Sequence, residues 1–180
     1  KDGKCVDTSM GLTPLEGIPM GTRSGNIDPA VIEFVANKEN LTISEILNIL
    51  NKKSGYLGVS GISNDSRDLE KGMEEGNDRC RLALDIQYKR IADYIGSYYV
   101  LLGGIDVIVF TAGIGENSER CRSEVLRRIS VLGVELDEKA NQVRSKTTLI
   151  TKPSSKIKAY LIPTNEELVI ARDTLRLISE

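Results

Sequence analysis

Gly113-Ile114-Gly115-Glu116-Asn117 stands between an apolar run, Ile105 to Phe110, and an arginine-rich helical pattern. Glycines at the end of a strand let a ligand approach the main chain, and free N–H groups at the start of the next helix favour anions. Glu116 and Asn117 add polar groups on the same rim. The spacing suits a tight turn with Asn117 or Ser118 as N-cap equally well. A dinucleotide fingerprint fits less well, because Gly113 and Gly115 supply G-x-G but the third glycine position is Ser118. No Gly precedes Lys-Ser or Lys-Thr, so there is no Walker A loop.

Three other stretches carry groups able to do chemistry. Arg23 lies in Gly21-Thr22-Arg23-Ser24-Gly25, where a planar guanidinium could match phosphate or carboxylate oxygens or simply face solvent. Asp65-Ser66-Arg67 suits a ribose or base-edge contact, or a solvated loop. In Thr164-Asn165-Glu166-Glu167, Glu167 has the last position of a capping box, whereas Glu166 has no such duty. A carboxylate there could serve a hard cation such as magnesium, or complement the helix dipole.

The elements that must hold these groups read as alternating helices and strands. Asp28-Pro29 opens a helix to about Lys38, and Thr42 to Glu45 is a capping box for a second helix that Gly55 can end. The buried face of that second helix is expected to be Ile46, Leu47, Ile49 and Leu50. Residues 55 to 77, rich in Gly, Ser, Asn and Asp, read as a long loop with one helical turn near Leu69 to Met73. The longest helix runs from 78 to 102, with Leu84, Tyr88, Ile91, Ile95, Tyr98 and Leu102 on one stripe, part of it core and part of it available for a subunit interface. Ile105 to Phe110 and Lys158 to Ile162 read as buried strands. Helices follow at Ser118 to Ile129, Asp137 to Arg144 and from Thr164 to about Ile178. This alternation in the second half predicts an α/β fold, and no linker divides the 180 residues, so one domain is expected.

Composition limits the function further. A net charge of −2 predicts neither nucleic-acid binding nor a polybasic membrane patch, and no apolar run approaches a membrane span. The three cysteines, Cys5, Cys80 and Cys121, form no CxxC pair and suit reduced thiols in a cytoplasmic protein. With no histidine, a Ser-His-Asp or Cys-His nucleophile system within this chain is excluded. Lys1 to Lys4 reads as a hairpin turn whose first strand is missing, which suggests a piece of a longer protein.

Three long motifs, in order, resemble the acetate kinases: Asp7 to Pro29 (DTSMGLTPLEGIPMGTRSGNIDP), Gly103 to Asn117 (GGIDVIVFTAGIGEN) and Ile162 to Thr174 (IPTNEELVIARDT). The likeness runs through the whole chain and is specific to the acetate/propionate kinase group; butyrate kinases are less similar. The resemblance implies reversible transfer of the ATP γ-phosphoryl to a short carboxylate, giving an acyl phosphate and ADP. It implies an actin/Hsp70/sugar-kinase-like (ribonuclease H-like) fold, with a mixed sheet and flanking helices. This chain, residues 1 to 180, then corresponds to the C-terminal, nucleotide-binding half, with the N-terminal half absent. In the family, residues matching Asp65, Ser66 and Arg67 contact the nucleotide, and those matching Gly113, Ile114, Gly115, Glu116 and Asn117 hold its adenosine part. The residue matching Glu166 serves Mg2+, and the one matching Arg23 stabilises the transferring phosphoryl group. The family also pairs as a homodimer through this part of the chain. The family's catalytic aspartate, a histidine beside the phosphoryl group, an arginine for the carboxylate and a glycine-rich phosphate loop all belong to the other half. The chain alone is therefore expected to bind nucleotide weakly and not to turn over. Two further possibilities stay open at this point: propionate as the acceptor, and a non-catalytic ATP-binding assembly domain.

Overall fold

A computed structural model describes residues 1–179. The chain expected to form one domain builds two compact units, Lys1–Gly104 and a second that begins at Ile105. The first unit is helical. Asp28 accepts a hydrogen bond from the Ala30 N–H at 2.9 Å and Pro29 already has helical angles, so α1 (Ala30–Glu39) starts as its sequence dictates. Thr42 and Glu45 form the full capping box of α2 (Ile43–Lys52). Of the four apolar residues expected on its buried face, Ile46 is buried but Leu47 is exposed.

Gly55 does not end α2. It opens α3 (Gly55–Ser60) with φ +58°, and a Cβ there would collide with the Met20 carbonyl. The long loop expected over residues 55 to 77 is mostly helical, because α4 (Ser66–Glu74) follows directly. Asp65 caps α4, and Leu69 is fully buried, which is worth about 2 kcal/mol in a helix of low intrinsic hydrophobicity. Capping and one anchoring leucine thus overcame a turn-rich composition. The long helix α5 (Asp78–Leu102) has the expected bounds, with Asn77 as N-cap. Its stripe divides: Cys80, Ala83, Leu84, Gln87 and Tyr88 are buried, whereas Ile91, Ile95, Tyr98 and Leu102 are only half-buried.

The second unit contains a three-stranded sheet among the described residues. It begins with β1 (Val107–Phe110), α6 (Ala112–Asn117) and α7 (Glu119–Arg128). Then come β2 (Thr148–Leu149), β3 (Lys158–Leu161) and α8 (Glu166–Ser179). Strand order is β1-β3-β2, with β3 parallel to β1 and antiparallel to β2. The sheet is mixed, as the resemblance implied. Burial alternates along β1 and β3: Ile108, Phe110, Ala159 and Leu161 point into the core, and Val107 and Val109 are exposed. The expectation of buried strands holds for alternate residues only; an unbroken apolar run does not encode how many layers cover it.

The helix expected at Asp137 to Arg144 is a single turn instead. Asp137 closes it by accepting from the Lys139 and Ala140 N–H groups at 3.0 Å each. The carbonyls of Asn141 and Val143, beyond this turn, accept hydrogen bonds from a side chain of α7. The fold separates the groups of interest cleanly. Arg23 and Asp65 to Arg67 belong to the first unit, and Gly113 to Asn117 and Glu166 to the second. Among the described residues, no helix is long and apolar enough to cross a membrane.

Candidate functional site

Parallel pairing of β1 with β3, in the register Phe110↔Leu161, brings the two chains out side by side at the carboxyl ends of the strands. In open α/β sheets, ligands bind in the crevice at this end. The Thr111 and Thr164 hydroxyls share a hydrogen bond of 2.8 Å, and the Ala112 N–H donates to Thr164 Oγ1 at 3.0 Å. The Thr164 N–H donates to Glu116 Oε1 at 2.8 Å, and this bond is the chief reason the Glu116 carboxyl titrates below the usual range. Ala112 has φ +57°, a left-handed conformation that a non-glycine residue adopts at a local energetic cost.

The Gly113 to Asn117 segment, expected as a turn, is the short helix α6. Its two glycines differ. A Cβ at Gly115 would press on the Phe110 backbone at 3.3 Å, so packing against β1 asks for glycine there. A Cβ at Gly113 would meet nothing within 4 Å, so nothing among the described residues asks for glycine at that position. Ile114 is half-buried. Asn117 donates to the Gly113 carbonyl at 2.9 Å, and Ser118 caps α7. Gly113, Glu116, Thr164, Asn165, Glu166 and Glu167 line one open cleft of about 530 Å³ with Ala112.

The capping box expected at Thr164 to Glu167 does not form. Asn165 Oδ1 accepts from the Leu168 N–H at 3.0 Å, and Thr164 faces β1 instead. Glu166 lies in the first turn of α8, on the cleft. Among the described residues, no group of three or more metal-ligating side chains assembles. Magnesium asks for less, since it keeps several waters and is bound by one or two carboxylates together with substrate phosphates. Glu166, with Glu116 and Glu167 on the same rim, fits that requirement.

In the first unit, Arg23 sits in irregular chain held by backbone hydrogen bonds. The Met20 N–H donates to the Arg23 carbonyl at 3.0 Å, and the Ser54 and Tyr56 N–H groups donate to Thr22 and Met20 at 2.9 Å. Gln87, on α5, donates to the Pro19 carbonyl at 2.8 Å and accepts from the Tyr56 hydroxyl. Among the described residues, the Arg23 guanidinium makes one hydrogen bond, to the Met20 sulfur at 3.5 Å, and no ion pair. It opens on a cleft of about 560 Å³ that Asn48, Asn51, Lys52 and Asn64 also line. Asp65 and Arg67 pair with each other at 2.5 Å on the surface. The Arg67 hydrogen bonds hold the Asp65 carboxyl down to about 2. Ser66 is the first residue of α4 and half-buried.

One residue that the sequence reading passed over is fully buried: Arg122, on α7. Its Nε donates to Asn141 Oδ1 at 2.7 Å, and Nη2 donates to the Asn141 and Val143 carbonyls at 2.7 and 2.9 Å. Nη1 donates to the Gly115 and Glu116 carbonyls at 2.9 and 3.0 Å. The signal was in the sequence. Arg122 lies three and four residues before Val125 and Leu126, on the buried stripe rather than among the exposed arginines.

The mixed sheet, its flanking helices and the crevice at the strand ends place the chain in the actin/Hsp70/sugar-kinase-like class of α/β folds. The model of the Acetokinase family matches residues 1–172, and the chain belongs to that family. It is 66% identical over 175 residues to the acetate kinase of Aster yellows witches'-broom phytoplasma (strain AYWB), covering 97% of this chain and 43% of that protein. It is 57% identical over 178 residues to that of Treponema denticola, covering 99% of this chain and 45% of the relative. Among solved structures, Porphyromonas gingivalis acetate kinase superposes with a TM-score of 0.94 at 44% identity, over 99% of this chain and 45% of the other. A propionate kinase from Francisella tularensis gives a TM-score of 0.89 at 40% identity, over 95% and 44%. The chain thus spans less than half the length of the relatives it matches.

Proposed function

We propose that this chain is the nucleotide-holding part of an acetate kinase, a phosphotransferase that moves the γ-phosphoryl of ATP to acetate and back. The observation that carries the reading is Gly113, a glycine that no neighbour among the described residues requires, on the cleft at the carboxyl ends of β1 and β3. Gly113, Ile114, Gly115, Glu116 and Asn117 present main chain to the adenosine, and Gly113 lets it approach. Asp65, Ser66 and Arg67 contact the nucleotide through the capped start of α4. Glu116 acts through its bond to Thr164, which joins the two loops of the cleft.

Phosphoryl transfer spreads negative charge over the equatorial oxygens, so oriented cationic donors supply much of the catalysis. Arg23 suits this role because its donors are uncommitted among the described residues and its main chain is fixed. Glu166 is the residue that holds magnesium, which, when bound, neutralises phosphate charge. The protein works as a homodimer in the cytoplasm, the second half of α5 with its exposed Val100 and Leu101 being the candidate pairing face. Propionate is the second reading for the acceptor, favoured by the close superposition on a propionate kinase.

NMR titration of the 180-residue chain with ADP, with and without magnesium, tests the reading. Saturable shifts at Gly113, Gly115, Asn117 and Arg67 are expected. Absence of shifts both here and in the intact protein overturns it.

A further inference from the structure

A buried cation is costly unless paired, yet the five acceptors around the Arg122 guanidinium are all neutral: one amide oxygen and four carbonyls. A guanidinium has five N–H donors, and each is used once. Burial pulls the pKa of Arg122 down, which marks the cost of holding the charge there. A leucine or methionine would fill the same space without that cost. What the arginine adds is the connection it makes.

Two of its acceptors, Gly115 and Glu116, are carbonyls in the last turn of α6. Such carbonyls lack partners within a helix, and a cation beside them is favourable. The helix has six residues and none of them is buried. At that length it has no stability of its own in water. Its position therefore depends on the Glu116–Thr164 latch, the fit of Gly115 on Phe110, and Arg122. Arg122 is itself held through Asn141, whose Nδ2 donates to the Glu119 carbonyl at 2.9 Å and to Ser123 Oγ at 2.8 Å.

We propose that Arg122 is a positioning residue for nucleotide binding: it ties the carbonyl end of α6 to α7 and the Asn141 turn, and so fixes the face of Gly113 that the nucleoside meets. This rests on the nucleotide reading of α6. The tie acts on ATP or ADP and not on the carboxylate substrate. Substitution therefore separates the two Michaelis constants, which a general loss of stability does not.

The test uses steady-state kinetics of the intact protein with ATP and acetate. Wild type comes first; if it phosphorylates no acetate, the function assigned above fails, whatever Arg122 does. Given activity, Arg122→Lys keeps the charge and loses the fork. Its KM for ATP is expected to rise at least about tenfold while that for acetate stays within about twofold. Leu126→Ala, on the same helix and equally buried, is the control for destabilisation and should leave both constants within about twofold. If Arg122→Lys does not fold, Asn141→Ala removes one acceptor and keeps the arginine; its KM for ATP should rise roughly threefold with that for acetate unchanged. An unchanged KM for ATP in the folded variant, or a rise of both constants by similar factors, overturns the proposal.

Discussion

Around Arg23 the chain has no regular structure, and main-chain hydrogen bonds from the α2–α3 junction hold it in place. In the second unit, α6 is regular, has no fully buried residue, and depends on Arg122, on the Glu116–Thr164 latch and on the fit of Gly115 against Phe110. The two arginines are opposites. Arg23 has a fixed backbone and an uncommitted guanidinium; Arg122 has a guanidinium committed to five acceptors. A donor aimed at a reacting group has to be kept clear of neighbours, and a donor that builds structure has to be saturated. The glycines divide the same way. Gly55 is demanded by the chain around it, and Gly113 is not.

The contrast makes ordered predictions. The largest effect is on turnover: Arg23→Ala should lower kcat roughly a thousandfold in steady-state assays of the intact protein, with nucleotide affinity nearly kept. A rate near wild type would erase the distinction between the two arginines. Next comes Gly55→Ala, which combines a left-handed backbone with a collision against the Met20 carbonyl and a Cβ 2.6 Å from the Arg23 carbonyl oxygen. It should lose about 3 kcal/mol or more in denaturant unfolding. Gly113→Ala sharpens the comparison from the other side. Stability should stay within about 0.5 kcal/mol, while the Kd for ADP, read by calorimetry, should weaken about tenfold. If Gly113→Ala is instead as destabilising as Gly55→Ala, its glycine is structural after all.

The smallest effect belongs to Asp65. Its pairing with Arg67 holds its pKa near 2 in the folded chain, against about 3.9 unfolded. A depressed pKa contributes stability that is present above about pH 4 and is lost as pH falls through about 2. The pair is exposed, so Asp65→Asn should lower Tm by only about a degree or two at neutral pH. The difference from wild type should shrink towards pH 2, as followed by circular dichroism.

Local chemistry was legible in the sequence where one residue controls one feature. The Asp28 cap, the Thr42–Glu45 box, the bounds of α5 and the strand before α6 all read directly. The family resemblance, carried by three motifs, is borne out by the family match over residues 1–172. What stayed hidden depended on partners distant in sequence. Composition favoured a loop over residues 55 to 77, but burial of Leu69 and Tyr56 made helices. The pattern at Asp137 favoured a helix, but a single turn forms, and the chain after it is tied through the Asn141 and Val143 carbonyls to Arg122. Glu116 looked like a free rim carboxylate, and only the pairing of β1 with β3 brings the Thr164 N–H to it. Thr164 looked like a cap for the same reason, and it faces Thr111 instead.

The exposure of α8 has a thermodynamic consequence for the unfolding of these 180 residues. None of its described residues is buried, and Val169, Ile170, Leu175, Leu177 and Ile178 keep more than half their surface in water. Denaturant sensitivity and heat capacity both scale with the surface that unfolding newly exposes. Unwinding α8 exposes little that is not already wet. These fourteen residues therefore add little to the slope of an unfolding curve or to its curvature with temperature. The sharpness of the second unit's transition is set by its buried residues, Ile108, Ala159, Leu161, Val125 and Leu126 in β1, β3 and α7 together with Ile129, Val134, Ile150 and Ile157 between them.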